Sequence, residues 1–122
     1  MTVEQIANRL VELCRTGKNE QAVDELFADD AQSIEMMDMP DAPKVTTGKA
    51  AILEKGHKWN AMHEVHGGTV SDPIVSAAHF AISLSVDVTI KPIQQRMQMS
   101  EIGIYHVKNG KIVSEQFFYP ME

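Results

Sequence analysis

Three acidic side chains lie in segments that the sequence predicts to be β-strands: Glu35, Asp87 and Glu101. Removing a proton next to a carbonyl group needs a base with a pKa near neutral pH, and burial among apolar groups raises the pKa of a carboxyl group. Glu101 is the first candidate for this base. The residues that alternate with it along the chain are mainly apolar: Met97, Met99, Gly103 and Tyr105.

The environment of Glu101 depends on which face of the predicted sheet is concave. If its face lines a pocket, Glu101 stands among apolar groups near the phenol of Tyr105. If its face is convex, Glu101 is solvated or pairs with a cation on a neighbouring strand. The residues alone leave both alternatives open.

Asp87 is the second candidate, although it lies on the polar side of its strand. A turn around Pro92 and Ile93 would bring this side near Met99 and Glu101. Two acids placed close together raise the pKa of one of them, which suits acid and base catalysis. The other interpretation is an ordinary hydrated strand face.

A short histidine-containing segment, His63-Glu64-Val65-His66, is one residue shorter than the HExxH zinc signature, in which two histidines lie one helical turn apart. We therefore predict no metal site. His63 is either a donor or base in a pocket, or it is bonded to backbone. Glu64 and His66 share a strand face that lines the pocket or lies outside it. Trp59 is predicted to belong to the core or to the pocket wall.

Size and charge exclude several classes of protein. The 122 residues predict one domain, residues 1–122. The net charge of -6 and the scattered Lys and Arg residues argue against nucleic acid as a partner. No apolar run approaches the roughly 18 residues of a membrane span, and the first residues lack the features of a secretory signal. These observations predict a soluble, cytoplasmic protein. Cys14, the single cysteine, is predicted to be a buried structural thiol.

Apolar periodicity predicts three helices, one short strand and about four further strands. The helices cover about residues 2–15, 19–30 and 48–62, and Thr2 with Gln5 forms a capping box. In the third helix, a stripe through Gly56 and Trp59 is predicted to face inward, with Gly56 allowing the close approach of another element. The short strand covers residues 31–37. The loop 38–47, which holds Pro40 and Pro43, is predicted to form a flap or rim.

The last quarter of the chain predicts a β-hairpin around Asn109-Gly110, a pair that favours a type I′ turn. This turn places Val107 opposite Ile112, Tyr105 opposite Ser114, and Glu101 opposite Phe118. Phe118 would then share a face with Glu101. An antiparallel sheet with its helices on one face follows, which is an α+β fold.

The order of elements, Trp59 late in the third helix and the closing segment EIGIYHVKNGKIVSEQFFY together resemble the SnoaL-like branch of the nuclear transport factor 2-like superfamily. The segments SIEMMDMP and DVTIKP support this resemblance, which covers essentially the whole chain. It implies a cystatin-like fold, in which a strongly curved antiparallel sheet wraps around three helices into a cone. It also implies a pocket between the sheet and the helices, and a homodimer.

Members of this superfamily include polyketide cyclases, ketosteroid isomerase, dehydratases and proteins without known activity. The resemblance implies an isomerase, cyclase or dehydratase that needs no cofactor and acts on a small apolar or carbonyl-containing molecule. The candidate catalytic residues are Glu101, Asp87 and His63. The candidate ligand-binding residues are Glu35, Trp59, His66, Met99, Tyr105 and Phe118. The alternative is a non-catalytic, dimeric ligand-binding module of the same fold.

Overall fold

Three helices pack against one face of a curved seven-stranded sheet in the computed structural model, which describes residues 1–39 and 42–120. The helices are α1 (Val3–Arg15), α2 (Asn19–Leu26) and α3 (Lys49–Met62). The strands are β1 (Phe27–Ile34), β2 (Val45–Thr47), β3 (His63–Val70), β4 (Ile74–Ser76), β5 (His79–Ile90), β6 (Gln95–Lys108) and β7 (Lys111–Phe118). Within the described ranges, no helix is long and apolar enough to cross a membrane. The predicted α+β fold class is confirmed.

The capping box at the start of α1 is confirmed. Thr2 Oγ1 accepts a hydrogen bond from the backbone of Gln5 at 3.1 Å, and Gln5 Oε1 accepts one from the backbone of Thr2 at 2.9 Å. The buried stripe of this helix consists of Ile6, Ala7, Leu10, Val11 and Leu13. Cys14 is half-buried against the same core, and burial raises the pKa of its thiol to about 11.

The second helix ends earlier than predicted. It stops at Leu26, and Phe27 has extended backbone angles and begins β1. Asp29 and Asp30 therefore belong to a strand, and their predicted place in the helix is wrong. The side chains of Leu26 and Phe27 both lie in the core, so the stripe of apolar residues continues across the change from helix to strand.

The strands run in the order β2-β1-β7-β6-β5-β3, and β4 pairs with β5. β1 and β7 are parallel, whereas the other paired strands are antiparallel. The sheet is thus mixed rather than wholly antiparallel. Local sequence patterns indicate hairpins between successive strands, and they carry no information on a pair formed from distant parts of the chain.

The predicted turn between β6 and β7 is confirmed. Asn109 and Gly110 have φ angles of 53° and 75°, as the two central residues of a type I′ turn require. Val107 pairs with Ile112, also as predicted. This turn fixes where the hairpin begins.

A bulge next to the turn changes the register of the rest of the hairpin. Tyr105 pairs with Glu115, and Phe118 pairs with Ile102. The predicted pairs of Tyr105 with Ser114 and of Glu101 with Phe118 are therefore wrong. A shift of one residue moves every following side chain to the other face of the sheet. The bulge thus directs Glu115 toward the helices and Phe118 away from them.

Part of the predicted loop at residues 38–47 is a strand, because Val45–Thr47 pairs with β1. Among the other described residues of this stretch, the Asp38 carboxylate accepts a hydrogen bond from the backbone of Lys44 at 2.7 Å. The prediction for Pro40 lies outside the described residues.

The predicted span of α3 is confirmed, but the predicted role of Gly56 is wrong. Ile52 is buried, and Lys55 and Trp59 are half-buried. Gly56 is exposed, and a Cβ added there would have no atom within 4 Å. Gly56 therefore lies on the solvent side of the helix, and no neighbouring element requires a glycine at this position.

Gly103 on β6, in contrast, is required by its neighbours. A methyl group there would lie 3.0 Å from Cε1 of Tyr105 and 3.2 Å from Cε1 of Phe117. We expect Gly103→Ala to lower the free energy of unfolding in urea by about 1 to 3 kcal/mol, because two packed rings must move. Gly56→Ala is the matched control and is expected to raise it by about 0.5 to 1 kcal/mol through helix propensity. A Gly103→Ala variant as stable as the wild type would contradict this account of the packing.

Candidate functional site

Lys55 of α3 lies at the centre of a group of polar side chains between the helices and the sheet. Its Nζ lies 2.7 Å from Oε1 of Glu35 and donates a hydrogen bond to Oγ of Ser33 at 2.9 Å. Ser33 is on β1, and Glu35 follows that strand. Because Ile52 and Lys55 are three residues apart, they share a helix side, and the burial of Ile52 directs Lys55 toward β1.

Glu115 is the second carboxyl group of this cluster. The parallel pairing of β1 with β7 places it beside Ser33, and Ser33 Oγ donates a hydrogen bond to its Oε2 at 2.7 Å. Burial raises the pKa of Glu115 to about 7, against the lowering effects of the Ser33 hydrogen bond and the Lys55 charge. Glu115 therefore holds a proton for much of the time at neutral pH.

Glu101 lies on the same face of β6 as Gly103 and Tyr105, and it is half-buried. Burial raises its pKa to about 7, the negative charge of Glu35 adds to this effect, and the positive charge of Lys55 opposes it. A carboxyl group in this state is divided between its acid and base forms at neutral pH, which suits general base catalysis.

Tyr105 provides an un-ionised phenol beside these acids. It is buried and stacks on Phe80 at a centroid distance of 4.8 Å, and burial raises its pKa well above the usual value. Its hydroxyl lies 3.3 Å from the position that a Cβ of residue 103 would occupy. Because Gly103 has no side chain, the phenol of Tyr105 can pack against β6 between Tyr105 and Glu101.

Glu101 is among the residues at an open depression, which lies where β7 ends and β6 is paired only with β5. The depression has a volume of about 220 Å³ and is lined by Ser83, Ser100, Glu101, Ile102, Phe118, Tyr119 and Pro120. Tyr119 accepts a hydrogen bond from the backbone of Met36 at 3.4 Å. Phe117 lies below Lys55, with the ammonium nitrogen 6.0 Å from the ring centroid. By the strand register, the side chains of Ser83, Ser100, Ile102 and Phe118 project from the outer face, so the depression opens mainly on that face of the sheet.

Asp87 does not join this cluster. In the pairing of β5 with β6, Asp87 lies opposite Gln98 and Glu101 lies opposite Leu84, so the two acids project from opposite faces of the sheet. Arg96 donates two hydrogen bonds to Asp87, at 3.0 and 2.8 Å, and lowers its pKa. The predicted proximity of Asp87 to Glu101 is wrong, and Asp87 belongs to an ion pair on the outer face.

The two histidines of the 63–66 segment have separate partners. The ring of His63 stacks on Trp59 at a centroid distance of 4.1 Å, and its Nδ1 lies 2.7 Å from the Trp59 carbonyl oxygen. His66 Nε2 lies 2.7 Å from the hydroxyl of Thr89. In the part of the chain that the structure describes, no group of three or more His, Cys, Asp or Glu residues could hold a metal ion. Ligand contacts of Trp59, His63 and His66 stay predictions.

Met99 and Phe118 lie on opposite faces. Met99 pairs with Val86 on the Glu101 face and is half-buried, whereas the bulge places Phe118 beside Ile102 on the outer face. Phe118 lines the depression at the end of β7, and Glu101 is also among its lining residues. The side chain of Phe118 projects from the outer face of the sheet, whereas the predicted register placed it on the same face as Glu101.

Sequence reasoning missed Ser33, Lys55 and Glu115. A signal existed for Lys55, which follows the apolar Ile52 by one helical turn. Glu115 also carried a signal, because it interrupts the apolar residues of the last strand. The bulge hid its orientation, since simple alternation from the turn puts Ser114 on the inner face.

The three-helix, curved-sheet architecture is the cystatin-like, nuclear transport factor 2-like fold. The model of the SnoaL-like domain family matches residues 1–119, and the chain belongs to this family. The predicted family is thereby confirmed. No protein of curated function matches the sequence.

Several crystal structures have the same fold. A protein from Mesorhizobium loti, provisionally described as a SnoaL-like polyketide cyclase and also as a carbohydrate phosphatase, is 44% identical with a TM-score of 0.92, over 98% of this chain and 100% of that chain. A protein of unknown function with a cystatin-like fold, from Xanthomonas campestris, is 16% identical with a TM-score of 0.76. The match covers 98% of this chain and 91% of that chain. A protein from Bacillus subtilis, provisionally described as an isomerase, is 16% identical with a TM-score of 0.74. The match covers 98% of this chain and 90% of that chain.

The raised pKa of Glu115 makes the stability of the protein depend on pH. Between about pH 4.5 and pH 7, the folded protein binds more protons at this residue than the unfolded chain does, so the free energy of unfolding falls as pH rises. We expect Glu115→Gln to remove about 3 kcal/mol of this fall, measured by urea unfolding at about pH 4 and pH 8. The exposed Glu64→Gln variant is the control. If the free energy of unfolding of Glu115→Gln changes with pH as it does in the wild type, Glu115 titrates normally and this explanation is wrong.

Proposed function

We propose that this protein is an enzyme of the isomerase, cyclase or dehydratase type, which transfers a proton next to the carbonyl group of a small molecule without a cofactor. The observation that carries the proposal is the state of Glu101. Glu101 is half-buried on the inner face of the sheet beside Tyr105, and burial raises the pKa of its carboxyl group to about 7. Membership of the SnoaL-like family and the similarity to the Mesorhizobium loti protein support it.

Glu101 acts as the general base in this proposal. In its ionised form it removes a proton from the carbon next to the carbonyl group, and the electrons of the broken C–H bond produce an enolate. A base with a pKa near the working pH combines a substantial ionised fraction with a high affinity for the proton. Both properties follow from the partial burial of Glu101.

Lys55 stabilises the negative charge that forms on the carbonyl oxygen. Its ammonium group is already fixed by Glu35 and Ser33, so little reorganisation is needed during the reaction. In this proposal Met99, Tyr105 and Tyr119 form the wall around the ligand.

The charge of the cluster favours an uncharged ligand. The ammonium group of Lys55 is paired with Glu35, and its charge also acts on the carboxyl groups of Glu101 and Glu115. A phosphate or carboxylate group would be repelled there, whereas a neutral ketone or ester would not. A carbonyl compound therefore suits the site better than a phosphorylated sugar.

The proposed base is tested with 2-tetralone, a neutral ketone with acidic hydrogens, by following deuterium uptake from heavy water by NMR. The wild-type protein is expected to accelerate the exchange, and Glu101→Gln to lower the rate by about 10² or more, because the amide cannot accept the proton. Asp87→Asn is the matched control on the outer face and is expected to keep the wild-type rate.

Two outcomes would count against the enzyme. An unchanged rate in Glu101→Gln would remove Glu101 from the mechanism. Binding of 2-tetralone by the wild-type protein without faster exchange would favour the non-catalytic ligand-binding module.

We further propose that the protein forms a homodimer through the outer face of its sheet. Ile102, Ile104 and Phe118 are neighbours there, and their exposed fractions are 49%, 39% and 40%. Large apolar side chains grouped on a surface mark sites of association. A dimer formed through this surface would remove the three apolar side chains from water.

Sedimentation velocity tests the dimer. The wild-type protein is expected to sediment as a dimer, and Ile104→Glu as a monomer, because each interface would bury two unpaired carboxylates. Ile74 on β4 is 75% exposed, and Ile74→Glu serves as the control that stays dimeric. A monomeric wild type, or a dimeric Ile104→Glu variant, would contradict the proposed interface.

A further inference from the structure

A continuous chain of polar contacts links the most deeply buried acid of the cluster to the side chain of Lys55. Glu115 Oε2 lies 2.7 Å from Ser33 Oγ, and Ser33 Oγ lies 2.9 Å from Lys55 Nζ. The chain crosses β7, β1 and α3. Ser33 is 0% exposed and Glu115 is 9% exposed, whereas the Lys55 side chain is 20% exposed.

From this geometry, and on the basis of the proposed function, we infer that Glu115, Ser33 and Lys55 form a proton relay. The relay protonates the carbonyl oxygen of the substrate while Glu101 removes the proton from carbon. Lys55 contacts the substrate oxygen, whereas Ser33 and Glu115 act through Lys55 and are positioning residues.

The proton transfers balance. Glu101 takes the proton from carbon, the C–H electron pair forms the C=C bond, and the carbonyl π electrons move to oxygen. The Lys55 ammonium gives one proton to this oxygen and becomes an amine. After rotation of its hydroxyl hydrogen, Ser33 gives a proton to the amine and receives one from the Glu115 carboxylic acid. The products are an enol, a Lys55 ammonium, a protonated Glu101 and an ionised Glu115.

The net change within the protein is the movement of one proton from Glu115 to Glu101. Both carboxyl groups have a pKa of about 7, so this exchange is nearly balanced in free energy. The reverse steps return the proton to Glu115 when Glu101 protonates a carbon atom of the enol. An isomerisation would therefore restore the starting state without an external acid.

Several titratable groups face Glu115 and influence its protonation. They are Cys14 of α1, Glu35, Lys55 of α3, Glu101 and Tyr105 of β6. Burial contributes more to the raised pKa of Glu115 than any of these groups does. A glutamine at position 115 can keep the hydrogen bond with Ser33, but it cannot supply the proton.

The test is the pH profile of deuterium exchange into 2-tetralone, with kcat and KM measured separately. The wild-type rate is expected to rise as Glu101 ionises and to fall as Glu115 loses its proton, which gives a bell with both limbs near pH 7. Glu115→Gln and Ser33→Ala are expected to lower kcat by about tenfold or more, to leave KM within about twofold, and to lose the falling limb.

Ser33→Thr keeps a hydroxyl group and is expected to keep the falling limb, and Ser114→Ala on the neighbouring strand is the control. Wild-type profiles in both Glu115→Gln and Ser33→Ala, with Glu101→Gln inactive, would overturn the relay and leave the proposed function standing. Absence of exchange in the wild-type protein would overturn both.

Discussion

The site depends on the electrostatic balance around one ammonium group. Lys55 pairs directly with Glu35, and its charge lowers the pKa of both Glu101 and Glu115. Burial acts in the opposite direction, since removing a carboxylate from water favours its neutral form. The two acids therefore titrate near neutral pH instead of being locked in one state. A shift of α3 relative to the sheet would disturb this balance, because α3 carries Lys55, whose charge acts on all three carboxyl groups.

Two features of the sheet bring the acids to this lysine. The parallel pairing of β1 with β7 puts Ser33 beside Glu115, and the bulge after the Asn109-Gly110 turn directs Glu115 inward. Gly103 then leaves space in which the phenol of Tyr105 packs beside β6. The same bulge sends Phe118 outward, where it joins Ile102 and Ile104. One irregularity in the hairpin thus separates the polar inner site from the apolar outer surface.

The sequence predicted the features that depend on neighbouring residues. The capping box at Thr2 and the turn at Asn109-Gly110 have local causes, and both are present. The bulge has no clear sequence signal, so the register beyond the turn could not be predicted. Asp87 is a further case of long-range pairing, because the register of β5 with β6 places it on the other face of the sheet from Glu101. Lys55 was missed because a lysine on a helix is usually solvated, and its burial depends on how α3 packs against β1.

The most direct test of the account is the titration of the Glu101 carboxyl carbon by NMR, in the wild-type protein and in Glu35→Gln. We expect a pKa of about 7 in the wild type and a lower value in the variant, because the charge of Glu35 raises the pKa of Glu101. An ordinary value near 4.5 that does not change in Glu35→Gln would contradict it. Glu101 would then be a solvated surface acid, and the proposed base would be lost.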